Sequence, residues 1–378
     1  MKIAILSNNY IPHIGGAEIF AIELAKYLKN KGHEVDIITQ KQSGVKDFEI
    51  IDDVNVYRVN NIGIRGLGYF SATINMLRTL LKLDGEKSYD IVHSIAESPT
   101  SQVGTFFQKL KKKPHIITIQ GGHLSKRDLD SGWNNKILKK FIEWSFKNSD
   151  YLHAISLALA EESKLLGAKN VVIFPNGVNE NMLNYKSKSL IRQQLGISDN
   201  EIIIISLARL VPLKGIKYVI MAFSKLVEED LNTRLIVIGE GHQKKELEKL
   251  TKELKIDDKV DFKGFIPHDE LPNILPAGDV FVLTPEYEGL GIVFIEALAS
   301  GVPVIASPVG GIADIIEDRK NGLFVEHGDV AKLFEAMQFL ISDEETRDKY
   351  RNEGITTVKE KFLWEPILSQ IEGLYSKV

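Results

Sequence analysis

The sequence contains no cysteine, which excludes disulfides, thiolate metal sites, iron–sulfur clusters and a cysteine nucleophile. It also lacks any apolar run near the ~18 residues that cross a bilayer, and its start turns polar too soon for a signal peptide. The formal net charge is −4, whereas general nucleic-acid binding needs a strongly basic surface. We therefore expect a cytoplasmic protein that binds no nucleic acid.

The composition suits two globular domains. The 378 residues are 44% hydrophobic and 26% charged, ordinary values for a chain that buries sizeable cores. Short β-branched runs alternate with helical patterns in both halves, which is typical of βαβ units in parallel sheets. The predicted strands are Ile3–Ser7, Glu34–Thr39, Val54–Val59, Asp90–His93, His115–Ile119, Tyr151–Ile155, Val171–Phe174, Ile202–Leu207, Arg234–Ile238, Lys259–Lys263, Asp279–Leu283, Pro303–Ala306 and Gly322–Val325.

A turn-rich stretch, Phe174–Ser189, separates the halves and has no apolar period, which is typical of a linker. It predicts a first domain over residues 1–180 and a second over residues 181–362. The last segment has apolar residues at helical spacing and should bury one face. These residues are Trp364, Ile367, Leu368, Ile371 and Leu374. Because open α/β sheets bind ligands beyond the carboxyl ends of their strands, functional residues should lie in strand-to-helix loops.

Two such loops carry groups suited to an anion. Gly15 and Gly16 open a helix after the first strand, where glycines let backbone N–H groups approach an anion. A tight turn that requires glycine is the alternative. Arg209 and Lys214 follow the first strand of the second half and can grip a diphosphate, the guanidinium as a fork and the ammonium as a point charge. Solvated loop charges are the alternative there.

The sharpest signal is residues 283–307, LTPEYEGLGIVFIEALASGVPVIAS. Glu288 precedes a Gly-Leu-Gly turn, and Glu296 lies seven intervening residues beyond it, which is roughly 12 Å along a helix. Glu296 can accept bonds from a vicinal diol and Glu288 from a second ring, while a helix N-terminus between them favours phosphate. This describes a nucleoside-diphosphate sugar. The alternative is two exposed glutamates beside a core helix, although the apolar neighbours of Glu296 favour its burial.

With these motifs the sequence resembles the family 4 retaining glycosyltransferases, also called glycosyl transferase group 1. The resemblance runs from YIPHIGGAE through FPNGV, ARLVPLKG, VDFKGFIP and EYEGLGIVFIEALASGVPVIAS to the terminal helix. It implies the GT-B architecture, an α/β fold of two Rossmann-like, doubly wound domains facing across a cleft. It also implies that the C-terminal helix, residues 363–378, crosses back onto the first domain.

The resemblance implies roles for individual residues. Arg209 and Lys214 match the diphosphate-binding pair. Glu288 matches the donor-sugar glutamate, and Glu296 matches the ribose-binding glutamate. The other implied donor contacts are Gly16 with its neighbour Gly15 beside the phosphate, Gly264, Phe265 and Ile266 at the base, and Gly289, Leu290, Gly291 and Ile292 near the phosphates.

One departure concerns a histidine that the family commonly has after the strand His115–Ile119, in a Thr-x-His-Gly pattern. The text here is IITIQGGH, which puts Gln120 at that place and His123 three residues on. We keep Gln120 and His123 as candidate catalytic residues. A loop histidine bonded to a neighbour is the alternative for His123.

The implied reaction moves a hexosyl-type group from a UDP- or GDP-type sugar to a hydroxyl of a glycolipid, polysaccharide or glycan precursor, with retained anomeric configuration. Cations fixed on the departing diphosphate stabilise the charge that develops in the transition state, so we expect no metal and no cofactor besides the donor. The Asp-x-Asp of Asp128 and Asp130 is a weak metal candidate.

Other functions remain open. A sugar-nucleotide epimerase would convert the donor without an acceptor. A non-catalytic sugar-nucleotide-binding subunit, favoured by Gln120, would bind the donor without transferring it. A Rossmann dehydrogenase is excluded, because Gly239-Glu-Gly241 continues without the third glycine.

The first half also contains a lysine-rich stretch, Lys109–Lys147, with Trp133, Ile137, Phe141 and Trp144 near helical spacing. It predicts either a patch for anionic lipid at the inner face of the membrane, or for a lipid-linked acceptor, or a core helix with a solvated lysine face. We favour the core helix.

Overall fold

The computed structural model describes residues 1–12, 15–61, 68–121, 133–183, 187–229 and 231–378, without the side chains of residues 68–69 and 133–135. Its contacts divide the chain into two α/β units. The first unit comprises Met1–Asn176 and Trp364–Val378, and the second comprises Gly177–Leu363.

The first unit contains an eight-stranded sheet in the order β3-β4-β2-β1-β5-β6-β7-β8, parallel except for the antiparallel pair β3–β4. Its strands are β1 Lys2–Ser7, β2 Glu34–Gln40, β3 Phe48–Ile51, β4 Val54–Val59, β5 Ile91–Ile95, β6 His115–Ile119, β7 Tyr151–Ala154 and β8 Val171–Ile173. Its helices are α1 Gly16–Asn30, α2 Gly68–Lys87, α3 Thr100–Lys111, α4 Trp133–Asn148, α5 Leu157–Leu165 and, at the C-terminus, α13 Trp364–Tyr375.

The second unit contains a six-stranded parallel sheet in the order β11-β10-β9-β12-β13-β14. Its strands are β9 Ile202–Leu207, β10 Thr233–Ile238, β11 Val260–Gly264, β12 Val280–Leu283, β13 Val304–Ala306 and β14 Gly322–Phe324. Its α-helices are α6 Lys188–Leu195, α7 Ile216–Glu228, α8 Lys244–Glu253, α9 Ile292–Ala299, α10 Ile312–Ile315, α11 Val330–Ser342 and α12 Glu344–Lys361. Short 3-10 helices cover Glu180–Leu183, Pro212–Lys214, His268–Asn273 and Leu275–Ala277.

Every strand that the sequence predicted is present, because near-continuous apolar strands suit a sheet covered on both faces. The edge strand β3, which pairs with β4, was not predicted from the sequence. The loop joining them has two residues with positive φ, Asp52 at 50° and Asp53 at 60°. That is the backbone of a type I′ hairpin turn, which Asn-Gly signals far more strongly than Asp-Asp.

The stretch predicted as a linker belongs largely to the second unit. The amide of Val178 donates to the carbonyl of Phe362 at 2.8 Å, and Met182 is buried. The chain passes between the units at Asn176–Gly177 and again at Leu363–Trp364. The first crossing lies before the predicted boundary after residue 180, because the residues that follow it find hydrogen-bond and apolar partners in the second unit.

A buried hydrogen-bond chain joins α13 to the first sheet. The Tyr375 hydroxyl donates to His93 Nδ1 at 2.6 Å, and His93 Nε2 donates to Thr118 Oγ1 at 2.6 Å. Thr118 Oγ1 then donates to His153 Nδ1 at 2.9 Å, and His153 Nε2 donates to the Phe174 carbonyl at 2.7 Å. One consistent set of neutral tautomers satisfies all five groups. The five predicted apolar residues of α13 are all buried as well.

Candidate active site

Two strand-to-helix loops meet at the carboxyl ends of the neighbouring strands β9 and β12. The loop after β9 includes the 3-10 helix Pro212–Lys214, and the loop after β12 runs from Thr284 to Gly291. The amide of Glu286 donates to the carbonyl of Leu213 at 2.8 Å, which ties the loops together. Chain order reverses between β9 and β12, so this is the topological switch point at which open α/β sheets bind ligands.

Lys214 and Glu288, predicted separately as functional residues, form an ion pair across these loops. Lys214 Nζ lies 2.5 Å from Glu288 Oε2, and the two side chains are 14% and 18% exposed. Glu288 Oε1 accepts from the amide of Gly289 at 3.2 Å. Both carboxylate oxygens are therefore engaged, and a diphosphate would compete with Glu288 for the Lys214 ammonium.

Arg209 stands at the end of β9 in the same loop as Lys214, and its side chain is exposed. Within the described ranges the guanidinium has neither a hydrogen-bond nor an ion-pair partner. Its five donors are accessible to an anionic ligand, and the fork geometry suits phosphate oxygens.

A third loop fixes the backbone of Glu288. Gly310 follows β13 with φ of +56°, and a Cβ at this position would lie 1.7 Å from the Glu288 carbonyl oxygen. The amide of Gly311 donates to that oxygen at 3.4 Å. Only glycine tolerates both the left-handed backbone and the close approach. This Gly-Gly pair was not predicted as functional from the sequence, although its position after a predicted strand was the available signal.

Helix α9 begins only after Gly291, whose φ of +91° is left-handed. The helical estimate of the distance between Glu288 and Glu296 therefore does not apply, because Glu288 precedes the helix. The amides of Gly289 to Ile292 stand at the turn and first helical positions, where the helix macrodipole attracts an anion. Leu290 within this turn is buried and anchors it.

Glu296 is 1% exposed, which confirms the burial that its apolar neighbours predicted. His268 Nδ1 lies 2.9 Å from Glu296 Oε1. His268 begins the 3-10 helix His268–Asn273, shortly after β11. This histidine was not predicted from the sequence, because no local pattern connects it to a glutamate on another helix.

Gly264, Phe265 and Ile266, the predicted base-contacting segment, lie at the carboxyl end of the outer strand β11. Gly264 has φ of +71°, and its carbonyl accepts from the Gly239 amide at 2.7 Å. Phe265 is 64% exposed, so a large apolar surface stands beside the sheet end.

His327 is a second histidine of this region that was not predicted from the sequence. Its Nδ1 donates to the Thr284 carbonyl at 2.6 Å, and its ring packs edge-on against Tyr218 with centroids 5.1 Å apart. Thr284 begins the loop that carries Glu288, so His327 holds the start of that loop in place.

The other predicted site residues that the structure describes lie in the first unit. Gly15 caps α1 with φ of −145°, an extended backbone that any residue adopts. A Cβ on Gly16 would meet no described atom within 4 Å. Gln120 forms a reciprocal amide pair with Asn176 of FPNGV, at 3.2 and 2.7 Å.

His123, Asp128 and Asp130 lie outside the described residues. Across the described ranges, no group of three or more histidine or acidic side chains is placed to hold a metal ion.

Two family models match the chain, "Glycosyltransferase Family 4" over residues 14–181 and "Glycosyl transferases group 1" over residues 187–357. A glycosyltransferase of Methanocaldococcus jannaschii is 30% identical, over 99% of this chain and 98% of that protein. The chain belongs to the group 1 glycosyltransferases. It is therefore a transferase that moves a sugar to an acceptor, and the epimerase and non-catalytic subunit alternatives find no support.

Other relatives and structures agree with this assignment. N-acetyl-alpha-D-glucosaminyl L-malate synthase of Bacillus anthracis is 27% identical, over 100% of this glycosyltransferase and 98% of that enzyme. Sucrose-phosphate synthase from Thermosynechococcus elongatus superposes with a TM-score of 0.88 at 22% identity, covering 100% of this chain and 98% of that one. Anabaena HepE in complex with UDP superposes with a TM-score of 0.85 at 21% identity, covering 100% of both chains. The fold is GT-B.

Proposed function

We propose that this glycosyltransferase transfers a hexosyl-type group from a nucleoside-diphosphate sugar, with retention of configuration and without a metal ion. The observation that carries the proposal is the meeting of Lys214, Glu288 and the start of α9 at one sheet edge. A cation, a carboxylate and the amides at a helix start suit a diphosphate joined to a sugar. The HepE structure, which contains UDP, supports a nucleoside diphosphate as the leaving group.

In the proposed mechanism, departure of the diphosphate from the anomeric carbon leaves an oxocarbenium-like centre and adds negative charge to a phosphate oxygen. Arg209, Lys214 and the α9 amides bind that oxygen more strongly in the transition state than in the ground state, which lowers the barrier. Glu288 binds hydroxyls of the donor sugar. A phosphate oxygen of the donor takes the proton of the acceptor hydroxyl on the same face, so the configuration is retained. The first unit provides the acceptor-binding residues.

Retention predicts the stereochemistry of the first product. With UDP-glucose as an α-linked donor and water as acceptor, ¹H NMR in the first minutes should show α-glucose before mutarotation. Initial release of β-glucose would contradict retention.

The same reaction tests metal independence. EDTA should leave its rate unchanged, because the protein's own cations neutralise the leaving group. A rate that EDTA abolishes and Mg²⁺ restores would contradict this part of the proposal.

We also propose that the acceptor is presented at an anionic membrane, although the sequence alone favoured a plain core helix. The first unit has an apolar groove of about 460 Å³, lined by Phe106, Ile137, Lys140, Phe141 and Trp144. The Phe106 and Trp144 rings pack at a tilt of 46° with centroids 4.7 Å apart, and Phe106 and Ile137 are each more than a third exposed. These groove residues belong to helices α3 and α4. Exposed lysines lie on the same two helices and just beyond α3, at Lys109, Lys111, Lys112, Lys136, Lys140 and Lys147. Aromatic anchors among cations suit a bilayer surface that carries negative charge. No described helix is long and apolar enough to cross a bilayer.

Flotation with liposomes tests this surface. The protein should float with vesicles that contain about a third anionic lipid and stay behind with neutral vesicles, since each lysine near the surface contributes ~1 kcal/mol. Lys136→Glu/Lys140→Glu should abolish flotation. Lys245→Glu/Lys252→Glu, the same charge change at exposed positions of the second unit, should not. Equal flotation with neutral and anionic vesicles would contradict the proposal.

A further inference from the structure

The buried carboxylate of Glu296 is held by a single side chain. Glu296 Oε1 lies 2.9 Å from His268 Nδ1, and the glutamate side chain is only 2% exposed. No other partner of this carboxylate occurs in the described part of the chain. A carboxylate removed from water needs hydrogen bonds, so this contact matters more than a surface pair of the same length.

The position of His268 links two parts of the site. The histidine stands four residues after Gly264, in the segment that continues from the carboxyl end of β11. Glu296 lies on α9, whose first turn stands beside Glu288. The contact between His268 and Glu296 therefore joins the end of the outer strand to the helix that follows the central loop.

The contact also constrains the orientation of the carboxylate. With Oε1 held 2.9 Å from the imidazole nitrogen, rotation of the carboxylate about its last bond would break this contact. Oε2 is thus kept in one direction, and it is the oxygen with which Glu296 can accept from a ligand hydroxyl. A pre-oriented acceptor binds a hydroxyl without first losing rotational freedom.

We propose that His268 is a positioning residue that orients Glu296 to read the ribose hydroxyls of the donor, and that it couples this reading to the segment Gly264–Ile266. The inference rests on the proposed function, because it requires a nucleoside-diphosphate donor. His268 acts through Glu296 and does not touch the reacting atoms. It determines a preference for ribonucleotides over 2′-deoxyribonucleotides.

The test compares UDP with 2′-deoxy-UDP, and GDP with 2′-deoxy-GDP, by isothermal titration calorimetry. The wild type should bind the better ribonucleotide about tenfold more tightly than its deoxy form, the effect of one hydrogen bond to a charged group. His268→Phe keeps a ring but removes the donor, so the ratio of the two dissociation constants should fall towards one. His268→Asn should restore most of the ratio, because its amide places an N–H near the position of Nδ1.

Two further measurements separate positioning from a general structural role. In UDP-glucose hydrolysis, His268→Phe should raise KM with kcat within about twofold, since a ribose contact is made equally in the ground and transition states. Glu270→Gln, on the same 3-10 helix and at an exposed position, is the matched control and should change neither quantity. Thermal unfolding of each variant provides the check on folding.

The outcomes are distinguishable. If the wild type binds none of the four nucleotides, the proposed donor class fails and the inference fails with it. If the wild type binds ribo and deoxy forms equally, Glu296 does not read the ribose and the inference alone is wrong. If His268→Phe folds and keeps the full ribo-to-deoxy ratio, the positioning role is refuted while the donor class stands.

Discussion

Lys214→Ala and Glu288→Gln should each lower the rate of sugar transfer by about 10²–10³-fold while the chain stays folded. Lys214 stabilises charge that develops only as the diphosphate departs, so its loss raises the barrier and not merely KM. The Lys214–Glu288 pair is partly exposed, and its two residues lie in the loops that follow β9 and β12. Neither change therefore leaves a deeply buried charge unpaired. Rates of UDP-glucose turnover measure the effect.

The two variants should differ in how they bind the product. Lys214→Ala should weaken UDP binding, because the diphosphate loses a cation. Glu288→Gln should bind UDP as tightly as the wild type or more tightly, since Lys214 no longer has to leave a carboxylate to reach the phosphates. Calorimetric titration with UDP distinguishes them.

The control is Lys217→Ala, which removes an exposed lysine from α7 close in sequence to Lys214 and should retain full activity. The double variant Lys214→Ala/Glu288→Gln should be little worse than the poorer single variant, because residues that act as a unit are not additive. Near-wild-type turnover in both single variants would remove the pair from the active site.

Acidification should lower the free energy of unfolding of the first unit, and more steeply than it would if the histidines of this unit were exposed. Burial lowers the pKa of His153 to about 4 and of His115 to about 3, and lowers that of His93 well below its usual 6.5. The unfolded chain therefore binds up to three more protons than the native chain once the pH falls below 6.5. Their contribution to stability is complete above pH 6.5 and is lost progressively as the pH falls, down to about 4 for His153 and about 3 for His115. Near pH 5 the free energy of unfolding should fall by ~4 kcal/mol per pH unit.

Tryptophan fluorescence isolates this effect, because all three tryptophans, Trp133, Trp144 and Trp364, belong to the first unit. Urea unfolding at several pH values gives the slope. In His153→Gln, whose amide can still donate to the Phe174 carbonyl, the slope should drop by about one proton, or ~1.4 kcal/mol per pH unit. His242→Gln, at an exposed position of the second unit, should leave it unchanged. A stability that stays flat from pH 6.5 to 5 would contradict the prediction.

Local sequence patterns were enough to predict most of the fold. Strands such as β9 and β10 are nearly continuous apolar runs, and a run of that kind is stable only with both faces covered. The exposed edge strand β3 has no such run and escaped prediction. The linker Phe174–Ser189 was predicted from turn residues alone, yet Val178 and Met182 belong to the second unit through partners far along the chain.

The sequence by itself determined the two parallel-sheet units, the family, and the chemical identity of the site: Arg209, Lys214, Glu288 and Glu296 stand in motifs whose local spacing is their signal. Only the tertiary structure decided which of these groups touch. Lys214 meets Glu288 across 74 positions, and Glu296 meets a histidine from another loop. Such contacts depend on which parallel strands lie side by side, and that order is decided by the packing of the whole sheet, which no local pattern encodes.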